Sequence, residues 1–223
     1  MEIEVLEGVF DANEMIAGEN RRLLDEAGVY MINLMASPGA GKTSVIMRTL
    51  EGIQGHLSGA VIEGDVAGKV DSEQIAATGV PAVQINTGGS CHLEARQVNG
   101  ALKRLDLEET DLVIVENVGN LVCPAEFKLG EDLKVMILSV AEGHDKPLKY
   151  PLMFSESDVL IVNKTDLIPH TDFDMVALEK TVLKMNPGVV VFKVSCRTGE
   201  GLQEWNSFLV KKVRDAKQAA ACS

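Results

Sequence analysis

A chain of 223 residues with 21 Lys and Arg against 33 Asp and Glu, a formal charge of -12, is long enough to bury a full core as one domain without disulfides or structural metal. The acidic balance opposes nonspecific binding to nucleic acid and to anionic membranes, so a phosphate ligand must be held by local backbone donors and a few placed cations. No apolar run approaches the roughly 20 residues a spanning helix needs, and neither nucleic acid nor membrane is expected as a partner.

In chain order, Met1 to Phe10 alternate acidic and apolar residues and lack the basic start and apolar stretch of a secretory signal, which predicts a cytoplasmic protein. Cys91, Cys123, Cys196 and Cys222 are then reduced thiols, to be read as core, metal or catalytic groups before disulfides. Residues 12–27 set Ile16, Leu23, Leu24 and Ala27 at near-helical spacing and stop at Gly28, so 1–28 is expected to carry an amphipathic helix that precedes the core or serves a dimer. The core domain is expected over 29–214. Short apolar runs at 29–35, 60–63, 82–85, 112–115, 135–138, 159–162 and 189–194 read as strands, with helices near 43–54, 71–78, 93–105, 172–185 and 201–217. Most runs lack polar alternation, as strands covered on both faces do, so the expected fold is α/β, a doubly wound and mainly parallel sheet of about seven strands. Residues 139–157 show no clear period and read as a mobile loop or short helix, and the alanine-rich tail 215–223 as a segment that frays.

The first strand runs into Ala36-Ser37-Pro38-Gly39-Ala40-Gly41-Lys42-Thr43-Ser44 and then into a helix, the setting a P-loop requires. Backbone N–H groups from Gly39 to Ser44 face the phosphates at a helix N-terminus, Lys42 reaches the β- and γ-phosphates, and the Thr43 hydroxyl ligates Mg²⁺. Ala36 stands where the motif has its first glycine, tolerable if φ stays negative at the strand end. Downstream, the strand 159–162 stops at Asn163-Lys164-Thr165-Asp166. An Asp166 carboxylate can accept both the N1–H and the amine of guanine, whereas adenine offers no donor at N1, so GTP should be preferred to ATP. Lys164 can lay its stem along the base, and Ser195-Cys196 can present a backbone N–H to the guanine oxygen.

Between these loops the strand 112–115 ends at Glu116, and Glu116-Asn117-Val118-Gly119 stands where small GTPases have Asp-x-x-Gly. An acid at that tip suits Mg²⁺, with a structural salt bridge as the plain alternative, while Gly119 can bring its N–H to the γ-phosphate. Asp65, closing Glu63-Gly64-Asp65, and Asp71 offer further carboxylates for the metal or the attacking water, although Asp71 equally fits a helix N-cap. Lys42, Asp65 and Glu116 are the expected catalytic groups. No arginine is placed as a finger in cis, which predicts slow hydrolysis. Cys91-His92, set at the start of a helix where a thiol pKa falls, and Cys123 supply two thiolates and an imidazole. These are either buried core groups or three ligands of a Zn²⁺ or Ni²⁺ site completed by water or a second subunit. His56, His144 and His170 read as solvated loop residues.

Taken together, Asn86-Thr-Gly with Cys91-His92-Leu93, the run Glu116 to Pro124, and Asn163-Lys164-Thr165-Asp166 closely resemble HypB, the GTPase family that helps deliver nickel to [NiFe]-hydrogenase, over nearly all of residues 12–212. The resemblance implies a Zn²⁺ or Ni²⁺ site at Cys91, His92 and Cys123 in a nucleotide- and metal-dependent homodimer. It also implies Mg²⁺ and switch acids at Asp65, Asp71 and Glu116 with Thr43, a GTP/GDP cycle, and partners in a HypA-type nickel chaperone and the hydrogenase large subunit. The chain departs from the family in lacking an N-terminal Cys-x-x-Cys or histidine-rich nickel store, and in carrying His144 where relatives place an acid. Rival readings are a GTPase for urease, where a Cys-Pro-His arrangement is expected, or for cobalamin enzymes, and a non-catalytic metal-binding module.

Overall fold

The structure, a computed structural model, describes the backbone of residues 9–65, 75 and 78–221, and the side chains of that span except 9–11, 65 and 221. The expected helix over 71–78, Asp71 and Cys222 lie outside the described residues, and Asp65 is described in backbone only.

Seven strands form one sheet: β1 (Tyr30–Ala36), β2 (Gly59–Asp65), β3 (Ala82–Asn86), β4 (Leu112–Glu116), β5 (Leu133–Ser139), β6 (Val159–Asn163) and β7 (Val190–Lys193), in the order β3-β2-β4-β1-β5-β6-β7. Every pairing is parallel. All strand C-termini therefore open onto one edge of the molecule, where doubly wound folds place ligands.

Among the described residues the α-helices are α1 (Val9–Ala27), α2 (Lys42–Ile53), α3 (Ala95–Leu102), α4 (Cys123–Glu126), α5 (Lys146–Lys149), α6 (Pro151–Ser155), α7 (Met175–Met185) and α8 (Leu202–Ala221). Period-2 alternation sends successive strand residues to opposite layers. Ile32, Leu34, Ile114 and Ile161 pack on α2 and α8 through Val45, Ile46, Trp205 and Leu209. Met31, Ile62 and Val113 pack on α1 and α3 through Leu24, Val98 and Leu102, while Met136, Leu160 and Val162 meet α6 and α7. Trp205 anchors the first layer, fully buried with its indole N–H donating to Thr49 Oγ1 at 2.8 Å.

Central strands β1, β4 and β6 are buried at every residue, but edge strands β3 and β7 hold only exposed and half-buried positions, in strict alternation along β3. An edge strand has a neighbour on one side only, so its apolar run does not imply the same cover. The stretch without clear periodicity, 139–157, forms a 3₁₀ turn at Val140–Glu142 followed by α5 and α6. Helix α8 runs on to Ala221 through the segment expected to fray.

Helix α1 is fastened to the core by buried amides. Asn20 donates to Ala95 O at 2.9 Å and Leu129 O at 2.8 Å, and Asn13 Oδ1 accepts from Ala95 N at 2.8 Å.

Candidate nucleotide and metal site

Gly39 and Gly41 turn the chain after β1 with φ of 77° and 98°, values that favour glycine. At Gly41 a side chain is also excluded by space, since a Cβ would lie 2.6 Å from Asn163 Nδ2. That same amide donates to Ala40 O at 3.0 Å, and Lys164, itself in left-handed conformation at φ 64°, donates through Nζ to Gly39 O at 2.8 Å. The candidate phosphate loop, 36–44, and the candidate base-reading loop, 163–166, more than 100 residues apart in sequence, are thereby one structure.

At the base-reading end, Ser195 Oγ donates to Asp166 Oδ1 at 2.7 Å and Arg197 lies 3.8 Å from Oδ2. These contacts fix the orientation of the carboxylate. A cavity of about 600 Å³ opens beside it, lined among others by Ser44, Arg48, Lys164, Asp166, Cys196 and Arg197. The Cys196 backbone N–H is turned to Asn163 Oδ1 at 3.5 Å. Burial pushes the Cys196 thiol up to about 11, the nearby Arg48 offsetting only part. Both arginines of this cavity, Arg48 and Arg197, sit at the base end. A larger cleft of about 720 Å³, around His56, Asn206 and Arg214, contains none of the motif residues.

At the phosphate end, Thr43 Oγ1 lies 3.1 Å and 3.5 Å from the two Glu116 oxygens. Glu116 is the register partner of Glu63 across β4 and β2, and both carboxylates are buried. Two buried acids beside a hydroxyl form a hard oxygen donor set, the kind Mg²⁺ takes. Gly119 is flush against the phosphate loop: a Cβ there would lie 3.0 to 3.2 Å from Pro38 Cγ, N and Cα. On the far side, Ser37 Oγ donates to Glu142, whose other oxygen accepts from Ser139 N at 2.9 Å and which lies 3.6 Å from Lys146 Nζ.

Cys91, His92 and Cys123 converge, their candidate ligand atoms all within 4.8 Å of one another. The two sulfurs are 3.1 Å apart and Cys91 Sγ lies 3.4 Å from His92 Nδ1. Thus His92 Nδ1 faces the thiols, while its ring packs on Phe127 at a tilt of 32°, with centroids 4.0 Å apart. Burial lowers the His92 pKa against the opposing pull of Glu94 and Glu126, which favours the neutral imidazole that a metal needs. The expectation of a depressed Cys91 pKa is overturned. Helix α3 starts at Ala95 and its N-terminus is capped by Glu94, so its field does not reach the thiol. The hydrogen bond with the adjacent Cys123 side chain, with some desolvation, instead pushes the Cys91 thiol up. Metal binding here must displace protons.

The structure also supplies residues that spacing does not single out. Asn117 Oδ1 accepts from both Val118 N at 2.9 Å and Leu93 N at 3.0 Å, while its amide donates to Asn33 Oδ1 at 3.1 Å. Asn33, a lone polar residue in the apolar run Tyr30-Met-Ile-Asn-Leu-Met, was the available signal. His144, expected in solvent, is half-buried, accepts from Asp174 N at 3.2 Å and meets Phe173 edge-on at 5.9 Å. It thereby serves the start of α7, a role an acid at that position could also fill. His56 and His170 are exposed as expected.

A family model described as the CobW/HypB/UreG nucleotide-binding domain matches residues 30–193. The chain is 49% identical over 210 residues to the hydrogenase maturation factor HypB of Azotobacter vinelandii, covering 94% of this chain and 69% of that protein. Among solved structures, HypB from Helicobacter pylori in complex with nickel superposes with a TM-score of 0.87 at 36% identity, covering 92% of this chain and 96% of the other. HypB from Archaeoglobus fulgidus superposes with a TM-score of 0.86 at 35% identity over 91% of this chain and 99% of the other.

Proposed function

The chain belongs to the CobW/HypB/UreG family, in its HypB hydrogenase maturation branch, and on that premise we propose that it is a slow GTP hydrolase whose cycle loads and releases nickel bound for a [NiFe]-hydrogenase large subunit. The observation that carries the coupling is a short path. Gly119 rests on Pro38 of the phosphate loop, and four residues on, Cys123 touches Cys91.

In this reading Asp166 selects guanine, with a discrimination against adenine of roughly 10⁴–10⁵ where an unpaired buried acceptor is the penalty. Lys42 and the amides of Gly39 to Ser44 hold the phosphates. Thr43, Glu116 and Asp65 would hold Mg²⁺, which when bound neutralises charge on the β- and γ-oxygens. With Arg48 and Arg197 at the base end, no arginine among the described residues lining this cleft stands at the phosphate end as a finger, which in this reading keeps turnover slow. When the γ-phosphate draws the Gly119 N–H inward, Cys123 shifts relative to Cys91 and His92, and nickel, the cargo, changes affinity. The same soft S/N set accepts Zn²⁺.

Three ligands leave the shell open, and a second copy of the chain bound in the GTP state is proposed to close it. A HypA-type chaperone and the hydrogenase large subunit are the proposed exchange partners, in the cytoplasm. Linkage requires that nickel shift the preference for GTP over GDP by the factor by which nucleotide shifts nickel affinity. Calorimetric titration of Ni²⁺ into the GDP form and a non-hydrolysable GTP form should give unequal affinities, and equal ones would overturn the coupling. Lys42→Ala should abolish GTP turnover.

A further inference from the structure

The nucleotide switch and the metal loop are joined by more than the chain between Gly119 and Cys123. Two side chains of the switch run grip the backbone on either side of His92. Asn117 Oδ1 accepts from Leu93 N at 3.0 Å, and Asn120 Nδ2 donates to Cys91 O at 3.1 Å. Each asparagine is also tied to its own segment, Asn117 Oδ1 accepting from Val118 N at 2.9 Å and Asn120 Oδ1 from Val122 N at 2.9 Å. Between them stands Gly119, in contact with Pro38.

The Asn117 end is the rigid one. Its side chain is buried at 1% exposure and donates to Asn33 Oδ1 of β1, itself fully buried. Leu93 is fully buried as well and fills the place of a side chain at Gly64, where a Cβ would lie 2.7 Å from it. A single carbonyl oxygen therefore serves one donor from the switch and one from the metal loop. Movement of the Asn117-Val118 peptide with the switch alters one of these bonds, and a buried Leu93 N–H cannot turn to water for a replacement. At the other end Asn120 carries the Cys91 carbonyl with the switch.

We infer that Asn117 and Asn120 are positioning residues that make the Cys91-His92 backbone move with Val118–Val122, so that nucleotide state is transmitted to two metal ligands through these clips and to Cys123 through the chain. The inference rests on the nickel and nucleotide coupling proposed above. It explains why asparagines, with a donor and an acceptor on one short planar group, occupy both positions of Glu116-Asn117-Val118-Gly119-Asn120.

The test uses the full chain, with Ni²⁺ titrated into the GDP and non-hydrolysable GTP forms of the wild type, Asn117→Ala, Asn120→Ala and the double variant. The wild type should show the affinity ratio of the coupled protein, roughly 5- to 150-fold in ordinary allosteric pairs. Each single variant should lower that ratio and the double variant bring it close to one, with nickel still bound in the GDP form. A wild-type ratio of one sinks the coupling itself. A wild-type ratio above one that survives in the double variant sinks only the clips, as does loss of nickel binding in both nucleotide forms. Should Asn117→Ala fail to fold, amide resonances of the wild type decide. On exchange of GDP for the GTP analogue, Leu93 and Val118 N–H should shift together in ¹⁵N spectra, and a Val118 shift with Leu93 unmoved overturns the inference.

Discussion

At Gly41 a single methyl group has nowhere to go. The residue needs φ 98°, which costs an L side chain about 1–2 kcal/mol, and the Asn163 amide occupies the place of a Cβ. Gly41→Ala should therefore weaken GTP binding by about tenfold or more with unchanged circular dichroism, read by equilibrium binding of a fluorescent GTP analogue. Gly39→Ala, strained in φ but open in space, should lose less. Cys196 offers a pH test. With the thiol pushed up to about 11 by burial, its thiolate amounts to about 0.1% at pH 8, and alkylation should climb roughly tenfold per pH unit up to about pH 10. Rates followed by mass spectrometry that level off near pH 9 would show an ordinary thiol. Both residues were singled out by their motifs, whereas the protonation of Cys196 depends on the cover given by the fold.

At the scale of elements, α1 is a bracket across the start of α3 and the loop before β5. Asn20 is its fully buried fastening, and Asn20→Ala would strand the carbonyl of Leu129 and the Asn99 amide and remove a second donor from the Ala95 carbonyl. A loss of about 2–3 kcal/mol is expected, seen as a lower urea midpoint with an unchanged slope. Gly18 lies on the exposed face of the same helix, with no atom within 4 Å of the place a methyl group would take, and predicts the opposite sign. Gly18→Ala should stabilise by about 0.5–1 kcal/mol through helix propensity alone. The amphipathic pattern announced α1 but not which of its polar residues face inward. Asn13 and Asn20 are buried in the fold, which the pattern does not mark, because the partners that satisfy them lie about 75 to 115 residues away.

For the whole molecule, the charge of -12 bears on the proposed pairing of two copies. Like-charged copies repel, and salt screens that repulsion, so the proposed GTP-state dimer should tighten between about 20 mM and about 200 mM salt. Sedimentation equilibrium with the GTP analogue measures it, and weakening with salt would instead mean an interface built on opposite charges. No helix among the described residues is long and apolar enough to cross a membrane, in keeping with the hydropathy pattern.

The sequence by itself determined the parts whose geometry is local. A strand, a glycine-bearing loop and a helix in register specify a phosphate cradle, because φ preferences and apolar periodicity act over a few residues. The apolar runs likewise marked all seven strands, though not their order. Tertiary structure alone decided what meets across the sheet tips. Cys91 and Cys123 are brought to 3.1 Å from positions 32 residues apart, and Asn117 is paired with Asn33 from 84 residues away. Those contacts follow from strand order and register, which no local pattern encodes, and the buried amides that result can be satisfied in only one arrangement of the fold.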